Sequence, residues 1–124
     1  MTEKVERERL DVDILFVGAG PATLASVIRL ADLCKKHEVE MPAVLMVEKA
    51  PSLGGHQLSG SVMDPRAIKE LIPDFLDQGF PFHYEVGKEL VYLLTRKRAL
   101  RLPMVPPQMA NHGNLVISLS DVVK

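Results

Sequence analysis

Gly18 and Gly20, followed by Pro21 and Ala22, stand directly after the apolar run Asp13-Ile14-Leu15-Phe16-Val17. A glycine turn that ends a strand and opens a helix is the arrangement that receives the diphosphate of a dinucleotide. Gly18 can take the backbone angles of a tight turn, and Gly20, lacking a side chain, lets phosphate oxygens approach main-chain N–H groups. The helix opening at Pro21 presents unpaired N–H donors and the positive end of its dipole to the anion. Thr23 occupies the place of the third glycine in a G-x-G-x-x-G pattern. Glycine there permits close helix-on-strand contact, so the threonine is expected to push the helix outward or to sit sideways.

The second chemically suggestive residue is Glu48, at the end of Val44-Leu45-Met46-Val47, which reads as a second buried strand. An acid in that place accepts hydrogen bonds from ribose hydroxyls. Glu48 follows Gly18 by 30 positions, where about 20 are usual after the fingerprint. The polar insert at 35–42 accounts for the excess as a longer helix end and loop. An ordinary βαβ unit without a nucleotide is the competing reading of the same pattern.

No other constellation carries chemistry. G-x-S-x-G, H-E-x-x-H and a P-loop lysine are missing, and His37, His56, His83 and His112 are scattered without metal-ligand spacing. Asp64 and Glu70 fall close together on one helix, which fits a solvated face better than acid–base work. If the protein is an enzyme, a bound cofactor carries the chemistry and the chain supplies its cradle. The single cysteine, Cys34, cannot form an internal disulfide and fits a reducing compartment. It continues the apolar stripe of the first helix, as a buried structural thiol would. One cysteine cannot hold an iron–sulfur cluster, which needs about four.

The elements that must position these residues are legible in outline. With 124 residues, 47% hydrophobic, the chain has the size of one domain with a real core, and its net charge of −1 gives no basic excess for nucleic acid. Residues 1–10 form a charged tail without the apolar stretch of a signal peptide, and 11–124 form the domain. No apolar run approaches the roughly 20 residues that span a bilayer. The first helix is expected over 21–36, with Leu24, Val27, Ile28, Ala31 and Cys34 as its apolar stripe. The glycine-rich stretch 50–60 reads equally well as backbone lying against a ligand and as a plain surface loop. Asp64-Pro65 looks like an N-cap and first-turn proline. A helix over 66–72 follows, with Ile68, Leu71 and Ile72 inward, and Pro73 stops it.

Residues 74–87, with Phe75, Phe80, Phe82 and Tyr84, are expected to form a packed loop. Residues 90–95 and 99–102 read as a hairpin turned at Arg96-Lys97-Arg98. With Arg101 these cations could meet an anionic membrane surface; composition favours a solvated turn whose charges block the sheet edge. Asn111-His112-Gly113-Asn114 is a turn, Leu115-Val116-Ile117 a strand, and Ser118-Leu119-Ser120-Asp121 has the form of a capping box. A helix announced so near the last residue, after only two parallel strands, reads as the front part of a larger protein.

The residues Asp13 through Ala22, Val47-Glu48-Lys49-Ala50, His56-Gln57-Leu58-Ser59-Gly60, Asp64-Pro65-Arg66-Ala67 with Lys69-Glu70-Leu71, and Asn111-His112-Gly113-Asn114 resemble, in order, the N-terminal part of the electron transfer flavoprotein-ubiquinone oxidoreductase family. The resemblance implies an α/β fold: an incomplete Rossmann-like FAD-binding βαβ unit followed by a helix and a β-hairpin excursion. It implies FAD as cofactor, with Gly18, Gly20, Pro21, Ala22 and Thr23 at its pyrophosphate, Glu48 and Lys49 at the adenosine ribose, and Gly55, His56 and Ser59 in a loop near the phosphates and flavin. It implies electron-transfer flavoprotein and ubiquinone as partners. It also implies peripheral membrane contact through residues 90–103, against the reading from composition, at the cytoplasmic face of a bacterial membrane or the mitochondrial inner membrane. The family's 4Fe-4S ligands, quinone region and second FAD segment fall outside these residues. Gly55 and Gln57 stand where the family tends to have alanine and threonine. A non-catalytic truncated or split nucleotide-binding module, and another FAD enzyme of prenyl reductase or hydroxylase type, are the alternatives. If Thr23 holds the helix off the strand, Thr23→Gly strengthens FAD binding in a flavin-fluorescence titration; unchanged or weaker binding removes that account of the position.

Overall fold

The computed structural model describes residues 9–81 and 83–124, so the charged stretch before residue 9 and Phe82 of the aromatic segment lie outside the described residues. The chain divides into two compact units, Met1–Ser52 and Leu53–Lys124.

In the first unit, β1 (Ile14–Val17) and β2 (Val44–Val47) pair in parallel, Ile14 opposite Val44 and Val17 opposite Val47, with α1 (Pro21–Lys36) between them in sequence. Two parallel strands cannot be joined by a tight turn, and a helical crossover is the usual solution. The α/β class and the bounds of the first helix are as the sequence implies. Pro21 occupies the first turn, where its missing N–H costs nothing, and Lys35 and Lys36 face the negative end of the dipole. Asp13 fixes where the strands begin: its N–H donates to the Ala43 carbonyl at 2.9 Å, and its carboxylate accepts the Ala43 N–H at 2.8 Å.

Burial departs from expectation. Ile14 and Phe16 are half-buried, whereas Leu15 and Val17 are 54% and 82% exposed. Val44 to Met46 are only half-buried, and Val47 is exposed. The alternation is that of a strand with one covered face, and among the described residues the sheet has two strands only. On α1, Cys34 is buried as expected, but Ile28 and Ala31 of the anticipated stripe are exposed.

The second unit holds a three-stranded antiparallel sheet in the order β3 (Ser59–Met63), β7 (Leu115–Ser118), β4 (His83–Glu85). The sequence pattern foresees only β7. Segments read as a glycine-rich loop and an aromatic loop become strands because each finds β7 as a partner. Gly60, at φ +75°, sits at a register shift between Ser59 and Ser61, a bulge that hides the strand's alternation. Leu115 and Ile117 point inward from β7 and join Phe75 in the core, with Met63, Ile68, Ile72, Phe80, Leu119 and Val122 packed around them. Phe75 and Phe80 meet edge to face with ring centroids 4.7 Å apart, so two aromatic residues of the expected packed loop do pack. Tyr84 instead lies exposed on β4.

Helix α2 (Arg66–Leu71) is preceded by Asp64, whose carboxylate accepts the Arg66 N–H at 3.0 Å. Strands β5 (Tyr92–Leu94) and β6 (Ala99–Arg101) form the expected hairpin, closed by mutual hydrogen bonds of Thr95 and Arg98. The last helix, α3 (Leu119–Val122), starts from Ser118, and the Asp121 carboxyl is held below its ordinary range first by the Ser118 hydroxyl and then by Lys124.

The glycine-rich segment ahead of β3 has a packing reason within its own unit. Gly54, at φ +72°, is buried, and a Cβ there would lie 2.3 Å from the Ser120 carbonyl oxygen. Both the backbone angle and the approach require glycine. Gly54→Ala is expected to lower stability by about 1–3 kcal/mol, measured by chemical denaturation; a change within a few tenths would mean that the contact is slack.

Candidate functional site

Turn geometry follows from the residues that form it. β1 ends at Val17, and Gly18 reverses the chain at φ +98°, a conformation open to glycine and costly for most residues. Gly18 also donates its N–H to the Val47 carbonyl at 2.7 Å, extending the parallel ladder into the turn. A Cβ built on Gly18 would meet nothing within 4 Å, so its glycine requirement comes from backbone angle and not from crowding. Gly20 is the N-cap of α1 with extended angles, and it supplies no side-chain cap. Ala19, between the two glycines, is 2% exposed.

Glu48 turns toward this loop. Its Oε2 accepts the Ala19 N–H at 2.7 Å, and its Oε1 accepts the Ala50 N–H at 2.8 Å. Sequence spacing anticipates an acid near the turn; it does not reveal that the acid grips the turn's own backbone. An open cleft of about 350 Å³ lies at this end of the sheet, lined by Val17, Gly18, Val47, Glu48 and Lys49. Pro21 and Ala22 are exposed, Thr23 is half-buried in the first turn of α1, and Lys49 is exposed. Seven of the ten anticipated positions therefore share one unit.

The other three, Gly55, His56 and Ser59, belong to the second unit and are exposed there. Ser59 opens β3 opposite Ser118, and the loop before it is closed by the Gln57 N–H on the Gly54 carbonyl at 3.0 Å. Among the described residues no group of His, Cys, Asp and Glu is placed to hold a metal ion, and no helix is long and apolar enough to cross a membrane.

The Asn111-His112-Gly113-Asn114 turn is organised by a residue that the sequence pattern does not single out. Half-buried Glu89 accepts both the backbone N–H and the side-chain amide of Asn111, at 2.8 and 2.9 Å. Twenty-two positions separate the two residues, so no local signal marks the pair.

The fold and the turn define a class first: an α/β protein whose parallel crossover unit carries a glycine turn bracketed by an acid. No protein-family model matches the chain, but curated relatives do. The chain is 46% identical over 118 residues to the mitochondrial electron transfer flavoprotein-ubiquinone oxidoreductase of Dictyostelium discoideum, covering 95% of this chain and 19% of that protein. It is 40% identical over 123 residues to the probable electron transfer flavoprotein-ubiquinone oxidoreductase of Acinetobacter baylyi, covering 97% and 22%. The human mitochondrial protein of the same name is 40% identical over 120 residues, covering 96% and 19%. The chain belongs to the electron transfer flavoprotein-ubiquinone oxidoreductase family over the stretch it covers, and it spans about a fifth of the length of these relatives.

The Asn111 backbone N–H, then its side-chain amide, hold the Glu89 carboxyl below its ordinary range, with His112 adding a smaller pull. A carboxyl lowered on folding stabilises the folded turn above its unfolded pKa, and that contribution disappears as pH falls through the lowered folded value. The protection factor of the Asn111 amide against hydrogen exchange is therefore expected to be high at neutral pH and to fall on acidification below the ordinary carboxylate range. In Glu89→Gln it should be lower and no longer vary with pH across that window; an unchanged, pH-dependent profile would assign the titration to another group.

Proposed function

We propose that this chain is the FAD-binding portion of a flavoprotein oxidoreductase that passes electrons from reduced electron-transfer flavoprotein to ubiquinone. The observation that carries the reading is the Glu48 carboxylate 2.7 Å from the amide inside the Gly18–Gly20 turn. It puts an acid suited to sugar hydroxyls beside a turn suited to phosphates. The residues present fit the adenosine half of FAD. Gly18 has the required backbone, the start of α1 lies beyond the turn, and Val17, Val47, Glu48 and Lys49 line one cleft. Gly18, Gly20, Pro21, Ala22 and Thr23 would hold the diphosphate and Glu48 and Lys49 the ribose. FAD supplies the one- and two-electron chemistry when bound.

The chain's own contribution is binding and orientation. Ionised Glu48 accepts hydrogen bonds and donates none, so it suits a ribose that presents free hydroxyls. Electron-transfer flavoprotein and ubiquinone, which appear in the relatives' names, are the partners that this reading brings. The hairpin supports a peripheral membrane location, at the cytoplasmic face of a bacterial membrane or the mitochondrial inner membrane. Leu93, Leu94, Leu100 and Met104 are all at least half exposed there beside Arg96, Lys97, Arg98 and Arg101, a combination suited to an anionic interface. With the family's second FAD segment outside these residues, the purified chain is expected to bind FAD at about micromolar affinity or weaker, read by flavin-fluorescence titration with and without anionic liposomes. Nanomolar affinity would show that this portion already holds a complete pocket.

A further inference from the structure

We propose that Glu48 is a positioning residue that sets the shape of the glycine turn before any ligand arrives, and that the Ala19 N–H belongs to Glu48 and not to the phosphate. Both carboxylate oxygens are engaged by backbone: Oε2 by Ala19 in the turn after β1, and Oε1 by Ala50 just beyond β2. With the Gly18 N–H on the Val47 carbonyl, these contacts tie the loops after the two parallel strands into one bracket. The first turn of α1 adds no side-chain cap of its own at Gly20, and Pro21 has no N–H. Ala19 is 2% exposed, so its N–H would be costly to leave without an acceptor. A carboxylate oxygen can accept more than one hydrogen bond, so holding these amides is compatible with receiving sugar hydroxyls as well. The staple itself is independent of the dinucleotide reading; only the statement about phosphate rests on it.

Amide hydrogen exchange on the full chain tests this, with Glu48→Ala and the charge-conserving Glu48→Asp as variants. Alanine offers neither amide an acceptor; aspartate is a methylene too short to span them. Ala19 is expected to be protected in the unliganded chain and to lose about ten- to hundredfold of that protection in both variants, while the Cys34 amide inside α1 keeps its own. An unprotected Ala19 in the unaltered chain, or full protection in either variant, overturns the proposal. ADP is then added to the unaltered chain as a probe carrying ribose and diphosphate together. Ala19 staying protected while neighbouring amides shift supports the assignment, and loss of its protection on binding overturns it. If ADP perturbs no amide at all, the dinucleotide reading fails, and the variants alone still decide the staple.

Discussion

Everything placed near the turn depends on the parallel pairing of β1 with β2 in one register. Ile14 opposite Val44 brings Val17 opposite Val47, and only then do the next residues, Gly18 and Glu48, emerge side by side. A slip by one residue would send every side chain of a strand to the other face of the sheet, and the Glu48 carboxylate could no longer reach Ala19. Asp13 guards that register from the far end through its paired hydrogen bonds with Ala43, and Glu48 closes it at the near end. An acid at each end of a four-residue strand pair thus does what a longer ladder does elsewhere.

What the sequence reveals is what short-range chemistry decides. β1, α1 and β2 are legible because glycines, a proline and an apolar period mark their ends within a few residues. Gly18 is legible for the same reason, since its positive φ is a local demand of the turn. β3 is not: Ser59-Gly60-Ser61 has the composition of a loop, and only pairing with β7, more than fifty positions later, makes it a strand. The Glu89–Asn111 pair escapes for the same reason. Gly54 is an instructive intermediate case. Its type signals that backbone passes close by, and the neighbour turns out to be the Ser120 carbonyl, so the glycine serves the unit's own packing.

Burial is where pattern and structure part. The apolar runs of β1 and β2 promise buried strands, yet Leu15, Val17 and Val47 face solvent. The same holds on the hairpin, where Leu93, Leu94 and Leu100 are exposed. Apolar area left in water forgoes stabilisation of roughly 25 cal/mol per Å². The second unit has a small core centred on Phe75, Leu115 and Ile117; among the described residues of the first, only Ala19 and Cys34 are buried.

The bare flank of β1 carries a consequence for handling the isolated polypeptide. Its second edge displays main-chain donors and acceptors that no described strand takes up, and Leu15 and Val17 flank them. An unpaired edge flanked by apolar side chains and unguarded by lysine, proline or a bulge is a template for a foreign strand, and the four-residue length of β1 limits how long that added ladder can be. Pairing of that edge with a second copy would be bimolecular, so it would grow with protein concentration, and main-chain hydrogen bonds and apolar contact would drive it more than charge.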